Sequence, residues 1–190
     1  MAEGFQPGGR AAAPAPLDLV QDFVNTEIPE WARDDISTPS LLEGWLRERG
    51  LLEAGETVSA AGFVAARELR AALRELALLN TLGAAPDESL RERVRAAFSD
   101  ATLRADLDAG GSLVAVPARG GEWRGLAAIA SIVLAAQGDG SWSRLKACRK
   151  ESCGWLFYDR SRNASSSWCS MSICGNRTKT AAYRRRKAAT

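Results

Sequence analysis

All four cysteines of this 190-residue chain fall between positions 148 and 174, and there is no histidine anywhere. They form two pairs of equal spacing, Cys148-x4-Cys153 and Cys169-x4-Cys174, with fifteen residues between the pairs. Long aliphatic residues become scarce over the same stretch, and a segment of ~40 residues with so little to bury needs a staple. Two close pairs separated by enough chain for a hairpin is the layout of a four-thiolate structural zinc site. Zn²⁺ takes four thiolates tetrahedrally and leaves no position for water. Cys148, Cys153, Cys169 and Cys174 are therefore predicted to hold one structural, non-catalytic ion. Such binding contributes on the order of 10–16 kcal/mol in small finger peptides, enough to fold this segment. Disulfides would use the same residues, but a reducing cytosol and the lack of an export signal speak against them. A redox or iron–sulfur role is the remaining alternative.

Absence of histidine removes Ser-His-Asp and Cys-His catalysis, histidine general bases and histidine metal ligands. Asp34-Asp35 and Asp106-Asp108 pair carboxylates without any accompanying motif, and they read as loop and strand solvation. No glycine-rich phosphate loop follows a strand candidate, since "GAAPDES" and "ARGGE" have the wrong spacing. The chain is predicted not to be an enzyme. No run approaches the ~18 apolar residues of a membrane span, and "MAEGFQPGGRAAAPAPLDL" lacks the pattern of a secretory signal. A soluble, cytoplasmic protein is expected.

Residues 1–16, rich in Gly, Ala and Pro, are predicted to be a disordered leader. Residues 17–147 are predicted to form a mainly helical domain. Leu17, Val20, Phe23 and Val24 lie at helical spacing; "DISTPSLLEGWLRERG" has Ser37 or Thr38 as cap, Pro39 in the first turn and Gly50 as stop, with Leu41, Leu42, Trp45 and Leu46 as its buried face. "TVSAAGFVAARELRAALRELALLNTLG" carries an apolar side of Phe63, Leu69, Leu73, Leu76 and Leu79, and its Arg and Glu residues read as the solvated face. A further helix starts at Pro86-Asp87-Glu88, "ATLRADLDAGGSLVAVPA" predicts a hairpin turning on Gly110-Gly111, and "WRGLAAIASIVLAAQG" reads as the central helix of the core. Within residues 148–190, "GWLFYD" and "SSSWC" are expected to pair as strands, Gly175 to permit a tight backbone approach, and Asn176 to cap a final helix. The fold class is thus α+β: a helical domain with one small antiparallel hairpin, then a small treble-clef-like zinc finger.

Charge divides the chain at the same place. Residues 1–147 hold 15 Lys and Arg against 21 Asp and Glu, whereas residues 148–190 hold 10 against 2. Such asymmetry predicts a polyanionic partner for the basic part, with nucleic acid the first candidate. Arg177, Lys179, Arg184, Arg185, Arg186 and Lys187 place six cations on eleven residues, a pattern suited to gripping phosphates; a solvated terminus is the plainer reading. Arg177 and Lys179 are nominated for the groove, and Arg160 and Arg162, with Arg149 and Lys150, for extending the patch.

The segment "CRKESCGWLFYDRSRNASSSWCSMSICGNRTKTAAYRRRK" resembles the CGNR zinc finger of bacterial proteins, named for Cys174-Gly175-Asn176-Arg177. "LDLVQDFVNT" and "STPSLLEGWLRERGLL" are similar, more loosely, to the opening of the ABATE domain that usually precedes that finger. The resemblance implies a transcriptional regulator that binds DNA. Ser166 and Ser167 stand where the family often has two arginines, which removes two positive charges. Asn25 and Thr26, within the matching "FVNT", are either ligand contacts or a hydrogen-bonded turn. The upstream domain would then sense a small-molecule effector or mediate homodimerisation. Two other functions use the same features: an RNA- or ribosome-associated zinc protein, and a protein-interaction adaptor whose finger docks on an acidic partner, including this chain's own N-terminal domain.

Overall fold

In the computed structural model the described residues are 6–176, together with Thr180 and Lys187. The first helix, α1 (Leu17–Asn25), buries Val20, Phe23 and Val24. A short ribbon follows, β1 (Glu27–Ile28) antiparallel to β2 (Arg33–Asp34). Helix α2 (Pro39–Glu48) begins where Thr38 Oγ1 accepts from the Leu41 amide, as the cap signal predicted. Its buried face is Leu42, Trp45 and Leu46; Leu41, expected among them, is 48% exposed. The four positions 41, 42, 45 and 46 fan over a wide arc of the helix, and Leu41 falls at its edge, outside the buried face.

Helix α3 (Ala60–Leu82), capped by Ser59 Oγ, is the scaffold on which the rest packs. It contacts α1, α2, α4 (Glu88–Ala97) and α5 (Gly121–Gly138), and one strand from the cysteine-rich end. Between α4 and α5 runs the predicted hairpin, β3 (Leu103–Leu107) with β4 (Leu113–Pro117), in register from Leu103↔Pro117 to Leu107↔Leu113. Helix α5 buries Leu126, Ile129 and Val133 in one continuous core with Phe23, Leu42, Leu69 and Leu73. Each such side chain contributes roughly 1.5–3 kcal/mol on burial.

The polar residues of α3 depart from the expectation of a solvated face. Arg70 is 1% exposed. Its guanidinium makes two bonds to Asp34, of 2.7 and 2.8 Å, and donates to Thr26 Oγ1 at 3.0 Å. The Arg70 bond holds the Asp34 carboxyl below the usual carboxylate range despite its partial burial. One turn on, Arg74 donates to Glu27 Oε2 at 2.5 Å and to the carbonyls of Val24 and Glu27. These arginines tie α3 to the end of α1 and to the β1–β2 ribbon. That corner is where the cysteine-rich end docks.

Candidate metal centre

Strand β5 (Leu145–Ala147) leads into Cys148, and β6 (Leu156–Tyr158) begins three residues after Cys153. The two strands are antiparallel, Leu145↔Tyr158 to Ala147↔Leu156, so the first cysteine pair forms the turn of a hairpin. Within it Cys148 N–H donates to Trp155 O at 2.9 Å and Cys153 N–H to Lys150 O at 2.8 Å. Gly154 follows at φ +58°, where a Cβ would also stand 3.2 Å from Arg74 Cδ, so a side chain is opposed by both backbone and neighbour. The expected partner of β6, "SSSWC", is replaced by β5. The reason lies in α3: Asn80 Nδ2 donates to Leu145 O at 2.9 Å and Thr81 Oγ1 to Ala147 O at 2.7 Å, which fixes 145–147 as a strand. Residues 165–169 meet the turn not as a paired strand but through Arg149 N–H to Ser167 O at 2.9 Å and through the amide and sulfur of Cys169.

In the second pair, Cys169 precedes a π-helical turn, Met171–Gly175, and Cys174 lies within it. Its cap is Ser170, whose Oγ accepts from Ile173 N–H at 3.3 Å, while Cys174 N–H donates to Ser170 O at 2.9 Å. Asn176, expected as a cap, sits at φ −66° and ψ −41°, inside helical geometry. The close approach at Gly175 is made by Met171 and by Trp168, whose Cδ1 would stand 3.3 Å from a Cβ there.

These two turns bring four buried sulfurs together, each Sγ within 4.8 Å of every other. Cys153–Cys169 and Cys169–Cys174 are 3.7 Å apart. A disulfide requires about 2.05 Å, whereas the edge of a tetrahedron with ~2.3 Å metal–sulfur bonds is about 3.8 Å. The spacing fits four ligands on one ion and fits no S–S bond. Ionisation points the same way. Hydrogen bonds from the Cys153 and Cys169 thiols, with the Lys150 and Cys169 amides, pull the Cys148 thiol down to about 2. Donation to that same thiolate pushes Cys153 up to about 12 and Cys169 further still, and burial raises Cys174. Packed this closely, the four thiols resist ionising together until a cation compensates their charge.

Around the sulfurs, Ile28, Trp155, Phe157 and Trp168 form a small apolar shell. Several polar residues hold this unit to the body, and sequence reading missed most of them. Asn25 is 8% exposed, and its amide makes both bonds a neighbouring strand would make to Leu156: Nδ2 to O at 2.9 Å, and Oδ1 from N–H at 2.8 Å. Thr26 Oγ1 donates to Phe23 O at 2.7 Å and accepts from Arg70, so "FVNT" forms a hydrogen-bonded joint. Lys146 and Asp159 are buried partners at 3.1 Å; Lys146 also donates to the carbonyls of Ala164 and Ser166. Burial would raise the Asp159 carboxyl, but bonds from Ser161, Ser166 and Lys146 outweigh it and hold the group well below the carboxylate range. Ser166 and Ser167 are thereby engaged through their backbones.

Residues 6–16, for which composition predicts disorder, lie across this unit. Arg10 Nε donates to Cys169 O at 2.7 Å and Nη2 to Trp168 O at 3.2 Å, with the guanidinium 4.7 Å from the Phe157 ring centre. Ala13 is buried, and its N–H donates to the buried Gln21 at 2.7 Å. These partners are up to 159 residues away, so no local signal could have revealed them.

Of the basic residues singled out, Arg177, Lys179, Arg184, Arg185 and Arg186 lie outside the described residues, and Lys187 is helical and exposed. Arg149, next to Cys148, and Arg162, in the loop between the two cysteine pairs, are exposed. Arg160 is exposed but donates to Ala12 O at 2.9 Å and stacks on Tyr158. Lys150 pairs with Glu30 of the body. Asn25 and Thr26 also border a cavity of about 640 Å³ between α1, α2 and Trp155.

Comparison with known families matches residues 144–187 to the CGNR zinc finger. Residues 17–138 match the ABATE family, described as "Putative stress-induced transcription regulator". No curated protein matches the chain.

Proposed function

Because the chain belongs to the ABATE family and carries a CGNR zinc finger, we propose that it is a transcriptional regulator whose finger binds duplex DNA. One structural Zn²⁺ on Cys148, Cys153, Cys169 and Cys174 would hold the finger, supplying charge compensation and a closed tetrahedral clamp. The observation that carries this reading is the four-sulfur cluster, with every Sγ within 4.8 Å of the others. It stands directly before the most basic stretch of the chain. Held in this way, the cations between Arg177 and Lys187, extended by Arg149, Arg160 and Arg162, neutralise backbone phosphates. The clamp positions the chain; the cations bind. This is a binding protein rather than an enzyme.

The upstream domain, on this reading, senses a small molecule. A cavity whose wall includes Trp155, two residues from Cys153, favours sensing over dimerisation, since an occupant there would touch finger and body together. The same docking, through Asn25, Asn80 and Thr81, gives the domain a mechanical hold on the finger.

A salt series on random duplex DNA tests the contact. Replacing Arg184, Arg185 and Arg186 together by alanine is expected to weaken binding and to reduce the log–log salt slope by up to about 2.7, three phosphate contacts at about 0.9 each. Unchanged affinity and slope would remove the tail from the interface. Tighter, salt-dependent binding to structured RNA would move the assignment to RNA.

A further inference from the structure

The cavity between α1, α2 and the start of β6 has a charge pattern that selects among ligands. Its walls include Gln6, Asp22, Leu41, Trp45, Arg49 and Trp155. Both of its arginines are already engaged. Arg33 grips Asp35 through two bonds, of 2.7 and 2.6 Å. Arg49 lies 4.1 Å from the Trp45 ring centre and donates to Trp45 O at 3.2 Å and to Glu48 at 3.4 Å.

Asp22 differs from these. Half-buried on α1, it closes no hydrogen bond or ion pair among the described residues. Burial pushes its carboxyl up from the ordinary range, Arg49 offsets part of that, and Asp18 adds to it. A carboxylate in such a place gains most from a partner that brings its own positive charge. The rest of the wall is partly apolar: Leu41, exposed at the edge of the buried face of α2, together with Trp45 and Trp155.

We infer that this cavity binds a small organic cation, with a protonated amine seated on Asp22 and an apolar portion against Leu41, Trp45 and Trp155. An anion would meet Asp22, Asp35 and Glu48 with no uncommitted arginine to receive it. The inference rests on the sensing role proposed above and names the class of effector. Its link to the finger is short: Trp155 Nε1 donates to Gln6 Oε1 at 3.2 Å, and Gln6 Oε1 also accepts from Gln21 at 2.9 Å.

Three probes of similar shape test it on the full chain: phenethylamine, 2-phenylethanol and phenylacetate, followed through the indole N–H resonances of Trp45 and Trp155. The amine is expected to bind at least about tenfold more tightly than the alcohol, a difference of about 1.4 kcal/mol. In Asp22→Asn, which keeps the shape and removes only an unpartnered charge, the amine falls to the alcohol's affinity. Alcohol or phenylacetate binding as tightly as the amine, or a preference that survives Asp22→Asn, overturns the cationic class while leaving the cavity a ligand site. Failure of all three to move the two resonances at ~10 mM overturns class and sensing role together. Amine binding that leaves DNA affinity unchanged sinks the sensing role alone.

Discussion

Asn25 stands in for a strand. Its amide gives the open edge of β6 one donor and one acceptor, and it does so with a side chain almost closed to solvent. Asn25→Ala strands the buried Leu156 N–H, while Leu156 O keeps a 3.1 Å bond from Gln21. An unsatisfied buried polar group costs about 1–3 kcal/mol. Urea unfolding of the variant is expected to show a loss of about 2–4 kcal/mol. The Lys146–Asp159 pair makes a second prediction, with a pH sign. Asp159 is held below its unfolded value, so its contribution is complete above an unfolded pKa of about 3.9 and is lost as pH falls through the folded value. The urea midpoint should drop as pH is lowered from about 5, and the drop should be shallower in Asp159→Ala. That variant should also lose about 3–5 kcal/mol at neutral pH, because Lys146 remains buried without its counter-charge. An acid slope equal to that of the unaltered chain would show that Asp159 does not titrate on folding.

At the scale of elements, what local pattern encodes was legible. The caps at Thr38, Ser59 and Asp87 start helices where their residue types require. The 103–117 hairpin pairs in the register that its alternation and central glycines imply. Spacing alone named the cysteine quartet. What was not legible is whatever depends on a distant partner. Arg70 carries the same letter as the solvated Arg67, and distant partners, Asp34 at 36 residues and Thr26 at 44, make it a core residue. Strand β5 looked like the end of the helical domain because its hold comes from Asn80 and Thr81 on α3. The 6–16 segment has a disordered composition yet is fastened by Arg10 and by the Gln21 amide. Removing residues 1–13 is therefore expected to uncover Phe157 and the Cys169 backbone. The four thiols should then react several-fold faster with a thiol reagent, as followed by absorbance. An unchanged rate would mean that the segment does not protect the cysteine site in solution.

Over the whole molecule, the finger and the body share their contacts so closely that neither has an independent edge. The sulfur cluster has Ile28 of the β1–β2 ribbon in its apolar shell, and β5 lies on α3. Loss of the ion should therefore loosen the docking of the whole C-terminal end, because the small apolar shell around the four sulfurs cannot hold its shape alone. On the function proposed above, the finger's grip on DNA and the reach of an effector would both pass through that clamp. Metal content, measured on the purified chain alongside near-ultraviolet circular dichroism before and after chelation, tests this most directly. We expect one zinc per chain, and collapse of the Trp155 and Trp168 signal together with DNA binding once the zinc is removed. A chain that contains no stoichiometric metal, and whose tryptophan signal is indifferent to the chelator, would contradict the account.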